Sequence, residues 1–316
     1  MYIERFATDG AVFVRWRDGN TYSAGALNVA VEGGFYDLTQ EDGTTSAELE
    51  GVFSQLEGHA NQVLRSIDAT GTAPVAGSEE RSVLAEYLAL QVTRTPQERE
   101  RVLFHEQVRA FLDGRPIALG LVTEYLCDYL GFEPSLSEAR AAFELSEFVL
   151  REPATSQDSA IRILLRSAEN IVPVLDQLHW CVEADRKGRL ITTDAPLTLW
   201  RTPSKRDQFE GFGVGNCEEV RFPLDAHKQL VLSRVRRPGS ARITRERVGT
   251  CNQDAAYACH RFLIAPPEHQ ERTRALDLPA KRPVLRFDVG PMMKQDASGR
   301  YYDTGEEILH TWVPRR

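Results

Sequence analysis

No apolar run in the 316 residues approaches the roughly 18 to 20 that a membrane span needs. The longest greasy stretches, such as residues 117–121, are interrupted within a few positions, so no membrane partner is expected. Cysteine is sparse. Cys127, Cys181, Cys217, Cys251 and Cys259 are odd in number and widely spread, which argues against a secreted disulfide framework and for a reducing cytosol. The opening Met1-Tyr2-Ile3-Glu4-Arg5-Phe6 has neither a cationic nor an apolar stretch; no signal peptide is read there, and a cytoplasmic location is expected. Lysine is equally scarce, at five residues, all from Lys187 onward, and the excess of arginine reads as a coding bias. The strong catalytic motifs are missing too: no phosphate loop ending in Lys-Ser or Lys-Thr, no His-Glu-x-x-His and no Gly-x-Ser-x-Gly.

What is present is a chain 42% hydrophobic and 27% charged. That is enough for the core of one large domain or two ordinary ones, and too apolar for disorder. The formal net charge of -8 hides a split. Up to Arg186 there are 15 basic and 30 acidic residues; beyond it, 23 basic and 16 acidic. The halves therefore carry -15 and +7.

Periodicity divides the chain at nearly the same place. Ala11–Trp16 alternates, Asp18-Gly19 signals a hairpin turn, and a return strand is expected over residues 27–31. From about Ala47 to Asp176 helices dominate. Leu49, Phe53, Leu56, Ala60, Leu64 and Ile67 form one amphipathic stripe. Ser78 is the expected N-cap of the next helix, and Thr95-Pro96-Gln97-Glu98 and Ser135-Leu136-Ser137-Glu138 are capping boxes. A further helix is expected over Gln157–Asp176, with Pro173 kinking or shortening its last turn. After Gln177 the period changes. Strands are expected at residues 179–183 and 190–193, joined at Lys187-Gly188, and again at 197–200, 220–222, 230–235, 284–289 and 308–313. Residues 252–263 read as helical and 265–283 as a long surface excursion.

The expected fold class is therefore α+β: a short N-terminal β-hairpin region (1–45), an acidic central helical bundle (46–177), and a basic, mostly antiparallel C-terminal sheet with one helix (178–316). The last two are expected to form one compact unit.

Candidate chemistry is thin. Gly211-Phe212-Gly213-Val214-Gly215 has no strand before it and no helix after it, so a flexible turn suits it better than a nucleotide loop. Cys251, Cys259 and His260 are spaced too widely for a structural zinc pair; buried cysteines acting as small hydrophobes are expected, with no metal and no cofactor. Asp194, in Thr192-Thr193-Asp194-Ala195-Pro196, sits at a strand exit, where it either presents a functional carboxylate or closes a turn by accepting backbone N–H bonds. Between Arg234 and Arg247 lie Arg234, Arg236, Arg237, Arg242, Arg245 and Arg247, opposed only by Glu246 and flanking an expected hairpin turn at Pro238-Gly239. Arg234, Arg236, Arg237 and Arg242 are the candidate phosphate-binding residues. The competing reading pairs this basic hairpin with the acidic helices, and a pI near 5.5 counts against tight non-specific DNA binding.

A set of short segments carries a likeness in its order. They are Tyr2-Ile3-Glu4-Arg5-Phe6-Ala7, Asn28-Val29-Ala30-Val31-Glu32-Gly33-Gly34-Phe35-Tyr36, Gln91-Val92-Thr93-Arg94-Thr95-Pro96, Trp180, Thr193-Asp194-Ala195-Pro196, Phe222-Pro223-Leu224 and residues 252–257. Together they resemble a large bacterial family known as domain of unknown function 4238, over the chain to about residue 260. Family members carry a Gln-His-x-x-Pro-Arg-type segment just before the Tyr-x-x-x-Phe stretch. Met1 falls inside that region here, so an upstream start or a lost first strand is expected. The resemblance implies no activity, but it draws attention to Gln91 and Arg94, three apart on one helix face. With Asp194 they are candidate catalytic residues of a polar pocket between helices and sheet; the alternative is a buried network that locks the two together. Two functions remain open: binding or processing of a phosphate-bearing partner (nucleic acid or nucleotide), or a non-catalytic protein-interaction or defence-type scaffold.

Overall fold

The computed structural model describes residues 2–29, 38–39, 45–46, 48–96, 98, 102–103, 109–128, 133–149, 157–202, 213–279, 286–295 and 301–312. The fold is α+β. Strands β1 (Ala11–Trp16) and β2 (Thr21–Gly25) form an antiparallel hairpin about Asp18-Gly19. The short β3 (Leu38–Thr39) and β4 (Thr45–Ser46) pair with each other. Helices α1 (Glu48–Thr70), α2 (Glu79–Thr93), α3 (Leu119–Asp128), α4 (Leu136–Val149) and α5 (Gln157–Gln177) follow. The chain continues as β5 (His179–Ala184), β6 (Thr192–Thr193), β7 (Thr198–Trp200), β8 (Glu219–Pro223), β9 (Lys228–Ser233) and β10 (Ser240–Arg242). It closes with α6 (Arg245–Ala258), β11 (Phe262–Ala265), α7 (Gln270–Arg274) and the hairpin β12 (Arg286–Gln295) and β13 (Tyr301–Trp312).

Two sheets organise the molecule. The order of the five-stranded sheet is β10-β5-β9-β8-β7, antiparallel throughout except that β10 runs parallel to β5. Alternation along its strands makes one face wholly apolar: Trp180 and Val182, Leu230 and Leu232, Val220 and Phe222, and Leu199. That face packs on the buried stripes of α1 (Ala60, Leu64, Ile67), α2 (Leu84, Leu88) and α5 (Ala168, Leu175) in one continuous core. Each fully buried leucine there contributes roughly 1.5–3 kcal/mol. The four-stranded sheet, β2-β1-β11-β6, joins the N-terminal hairpin to strands near the other end of the chain, with Val14 opposite Ile264. Phe6, Val12, Val14, Phe262 and Ile264 bury its inner side.

Helix ends follow the predicted chemistry. Arg81 N–H donates to Ser78 Oγ at 3.2 Å, and Glu98 N–H to Thr95 Oγ1 at 3.4 Å. Ser135 and Glu138 cap each other reciprocally, at 3.3 and 2.9 Å. Helix C-termini are closed by arginines from elsewhere in the chain. Arg81 donates to Asp176 O in the last turn of α5 and to Leu178 O just beyond it, and Arg17 to the carbonyls of Ala256 and Tyr257 in the last turn of α6 and of Cys259 and His260 just beyond it. A guanidinium suits this task because its fan of N–H donors matches several orphan carbonyls and its charge complements the negative helix end.

The structure corrects four sequence expectations. The strand returning from β1 is Thr21–Gly25, not residues 27–31: it is an exposed polar edge, so hydrophobic patterning could not mark it. The 190–193 segment does not form a hairpin with β5; its strand, β6, pairs with β11 in the other sheet. The helix expected over 252–263 begins at Arg245 behind a Thr244 N-cap and ends at Ala258, where Phe262–Ala265 turns to strand. Most consequentially, the arginine-rich segment 234–242 is no hairpin. It crosses the end of β5 and lays β10 parallel along that strand's far side.

Candidate functional site

The other face of the five-stranded sheet is polar and covered by α6. Glu183 on β5, Gln229 on β9, and Glu219 and Arg221 on β8 lie in successive strands, all buried. From above, α6 contributes Arg247, Cys251 and Asp254, and the crossover segment contributes Arg237. Arg221 is 2% exposed; its Nε donates to Glu219 Oε2 at 2.7 Å and its Nη1 to Asp254 Oδ2 at 2.7 Å, with the guanidinium 4.8 Å over the Trp200 ring. Arg237 and Arg247 each bridge the two glutamates. Arg237 Nη1 reaches Glu183 Oε1 at 3.0 Å and its Nη2 donates to Glu219 Oε1. Arg247 lies 3.0 Å from Glu183 Oε2 and 3.1 Å from Glu219 Oε2. Gln229 Nε2 donates to Glu183 Oε2 at 2.6 Å and to Cys251 Sγ at 3.3 Å.

Three carboxylates and three guanidiniums balance in this centre. Burial alone would push the Glu219 carboxyl up, but Arg221, Arg247 and Arg237 outweigh it and hold its pKa below the ordinary value. Arg247 is likewise held more firmly charged: burial opposes it, and the bond to Glu183 prevails. The Cys251 thiol is pushed up by burial, against a reactive thiolate. Beside Arg221 lies a cavity of about 10 Å³, lined by Ile191, Thr198, Gln229, Cys251 and Asn252, room for about one water. A centre this balanced fixes geometry: it ties β5, β8, α6 and the crossover to one another.

The remaining arginines of the 234–247 run form an outer rim. Arg234 caps the carbonyls of Val214, Gly215 and Cys217, bonds that leave its charge uncompensated. Arg236, Arg242 and Arg245 are exposed and make no hydrogen bond or ion pair among the described residues. Of the four candidate phosphate-binding residues, then, Arg237 is held by glutamates, Arg234 by carbonyls, and Arg236 and Arg242 stand in solvent. The carboxylates that pair this run belong to the sheet. Among the described residues, a single ion pair joins a cation beyond residue 178 to a carboxylate of the helical part, Lys228 to Asp68 at 2.8 Å. Among the described residues, then, the basic segment pairs with carboxylates of the sheet and not with the acidic helices as expected.

Asp194 lies at the exit of β6, its side chain 2% exposed. It accepts from His260 N–H at 2.9 Å, Arg261 N–H at 2.8 Å and Arg261 Nε at 3.3 Å, while Ala195 N–H turns instead to Thr193 Oγ1 at 3.0 Å. Burial raises its pKa against the pull of those donors. Asp194 thus staples the β6 exit to the start of β11. Arg94 ends α2, where its Nη1 pairs with Glu57 on α1 at 2.9 Å and the guanidinium lies 5.1 Å over Phe53. Gln91 is half-buried on the last turn of α2. Among the described residues no hydrogen bond or ion pair joins Asp194 to either.

Gly213, Val214 and Gly215 of the glycine-rich segment lie in a turn that runs on to Cys217, whose N–H donates to Gly213 O at 2.9 Å; Gly211 and Phe212 lie outside the described residues. Among the described residues no three His, Cys, Asp or Glu side chains gather as metal ligands would, and no helix is long and apolar enough to cross a membrane.

Sequence reasoning missed Glu183, Glu219, Arg221 and Gln229. Their signal was present: Glu219 and Arg221 alternate with Val220 and Phe222. Such alternation ordinarily marks a solvent face, and here α6 covers it.

Fold and site together define an α+β protein whose central sheet packs on helices by one face and on a buried charge centre by the other. The family model described as "Protein of unknown function (DUF4238)" matches residues 1–269, and the chain belongs to that family. The β12–β13 hairpin lies beyond the matched span. No curated protein and no solved structure matches the chain. Two residues of the 252–257 segment meet the charge centre: Asn252 lines its cavity and holds Arg189 O at 2.8 Å, and Asp254 holds Arg221.

Proposed function

We propose that the chain binds a phosphate-bearing partner, nucleic acid or nucleotide, through the arginine rim of residues 234–245. The observation that carries this reading is the division of labour among the arginines. Arg237 and Arg247 are consumed by Glu183 and Glu219, whereas Arg236, Arg242 and Arg245 are exposed and unengaged among the described residues. Guanidiniums fixed on ordered backbone and opposed only by Glu246 suit phosphate oxygens, which they bind in bidentate fashion. A gel-shift and nucleotide-binding panel at stepped salt tests the reading. Binding that weakens with salt and with Arg236→Ala plus Arg242→Ala supports it; no affinity at low salt for any probe refutes it.

The sealed position of Asp194 favours a second reading, a non-catalytic protein-interaction scaffold in which this residue is purely structural. An activity lost in Asp194→Asn with its melting temperature preserved would exclude that scaffold.

A further inference from the structure

We infer that the partner of the arginine rim is the phosphate backbone of double-stranded nucleic acid, held without reading its bases; this rests on the phosphate reading above. Three features of the rim point the same way. First, residues 233–250, which carry the rim, themselves contain no aromatic side chain on which a splayed or free base could stack. Recognition of single strands and of nucleotides leans on such stacking, and a duplex backbone needs none.

Second, the cations stand along an edge. Arg242 lies on β10, the outermost strand of its sheet, Arg245 opens α6, and Arg236 lies on the crossover between β9 and β10. Separate exposed cations on and beside an edge strand suit a regular polyanion, which carries one charge per about 1.7 Å of duplex axis. Third, the backbone that carries these cations is pinned. Arg237 and Arg247, their neighbours in sequence, are anchored on Glu183 and Glu219 inside the charge centre. The exposed guanidiniums are thereby borne on backbone already in place before any partner arrives.

Charge sets the expected strength. The molecule as a whole carries -8, so its net charge opposes a polyanion and the attraction is local to basic patches such as this edge. Contacts are few, affinity is modest, and salt dependence follows the number of phosphates engaged. Three arginines on three phosphates give a slope of about -2.7 in log K against log salt, a loss of roughly 40-fold between 50 and 200 mM.

Fluorescence anisotropy with the full chain tests this. The probes are a labelled duplex of about 20 base pairs in two unrelated sequences, a labelled single strand of the same length, and unlabelled ATP as competitor. The expected result is duplex binding equal for both sequences, weaker single-strand binding, the salt slope above, and no displacement by millimolar ATP. Combined Arg236→Ala, Arg242→Ala and Arg245→Ala should reduce duplex affinity at least tenfold with the melting temperature unchanged, while Arg65→Ala on α1 leaves it intact. Tighter binding to the single strand, displacement by ATP, or full duplex affinity in the triple variant overturns the inference. Failure of every probe at 50 mM salt overturns the phosphate reading as well.

Discussion

Replacing Glu219 by glutamine removes one charge from the buried centre and almost no volume. The carboxylate is 2% exposed and accepts from three guanidiniums, those of Arg221, Arg237 and Arg247. Glutamine keeps one acceptor oxygen and turns an NH₂ group toward donors, so at least one guanidinium loses its contact at this position, and three cations face the two remaining carboxylates, Glu183 and Asp254. Breaking a buried ion pair on one side costs about 3–5 kcal/mol, because the partner stays charged and desolvated. For a chain of this size that corresponds to a fall of about 5–8 °C in Tm. Denaturant melts of wild type and Glu219→Gln at pH 7 measure it directly. Adding Arg247→Met should recover at least about 1 kcal/mol by removing the uncompensated cation. The pH dependence has a definite sign. The folded-state pKa of Glu219 lies below its ordinary value of 4.5, so its contribution is complete above that value and is lost as pH falls through the lower folded one. The gap between wild type and variant should therefore narrow below about pH 4.5. A loss under about 1 kcal/mol at pH 7, or a gap that stays constant down to pH 3, would refute the account of the charge centre.

Asp194→Ala should cost about 2–4 kcal/mol, since it strands the N–H groups of His260 and Arg261; thermal melts would show it, and a neutral outcome would contradict the staple. Gly188→Ala is expected to destabilise by about 2 kcal/mol or more. Gly188 has φ +62°, and an added Cβ would lie 2.7 Å from the His227 ring; pairing the change with His227→Ala should relieve the clash and leave only the backbone strain. In the native protein at pH 8, a thiol reagent should label Cys127 first. Cys181, Cys217, Cys251 and Cys259 are buried, Cys259 with a thiol pushed up to about 12, and should react only on unfolding; rapid labelling of a second thiol would contradict their burial.

Local signals in the sequence were reliable where the physics is local. Ser78, Thr95 and Ser135 announced helix starts because a cap needs only a hydroxyl a few residues before the N–H it serves. The stripe of Phe53, Ala60, Leu64 and Ile67 announced the buried face of α1 for the same reason. The candidate site was far less legible. The run from Arg234 to Arg247 stood out as a cluster, but which members are consumed depends on Glu183 and Glu219, up to 64 residues away. Gln91, Arg94 and Asp194 looked like one constellation because order along the chain carries no distance, yet Arg94 pairs with Glu57 on α1 and Asp194 with the start of β11.

The charge split shows where the two kinds of information part. Composition by itself determined that an acidic helical stretch precedes a basic β-rich one, that no long apolar segment interrupts them, and that the cysteines are too few and scattered for a disulfide framework. These are sums and periods, and they survive without coordinates. Only the tertiary structure decided that the basic segment crosses β5 rather than turning back on β9. That one crossover places Arg237 between two buried glutamates and leaves Arg236 and Arg242 in water. The reason is physical: a charge acquires its meaning from what lies within a few ångströms, and strand order, not sequence order, sets those neighbours.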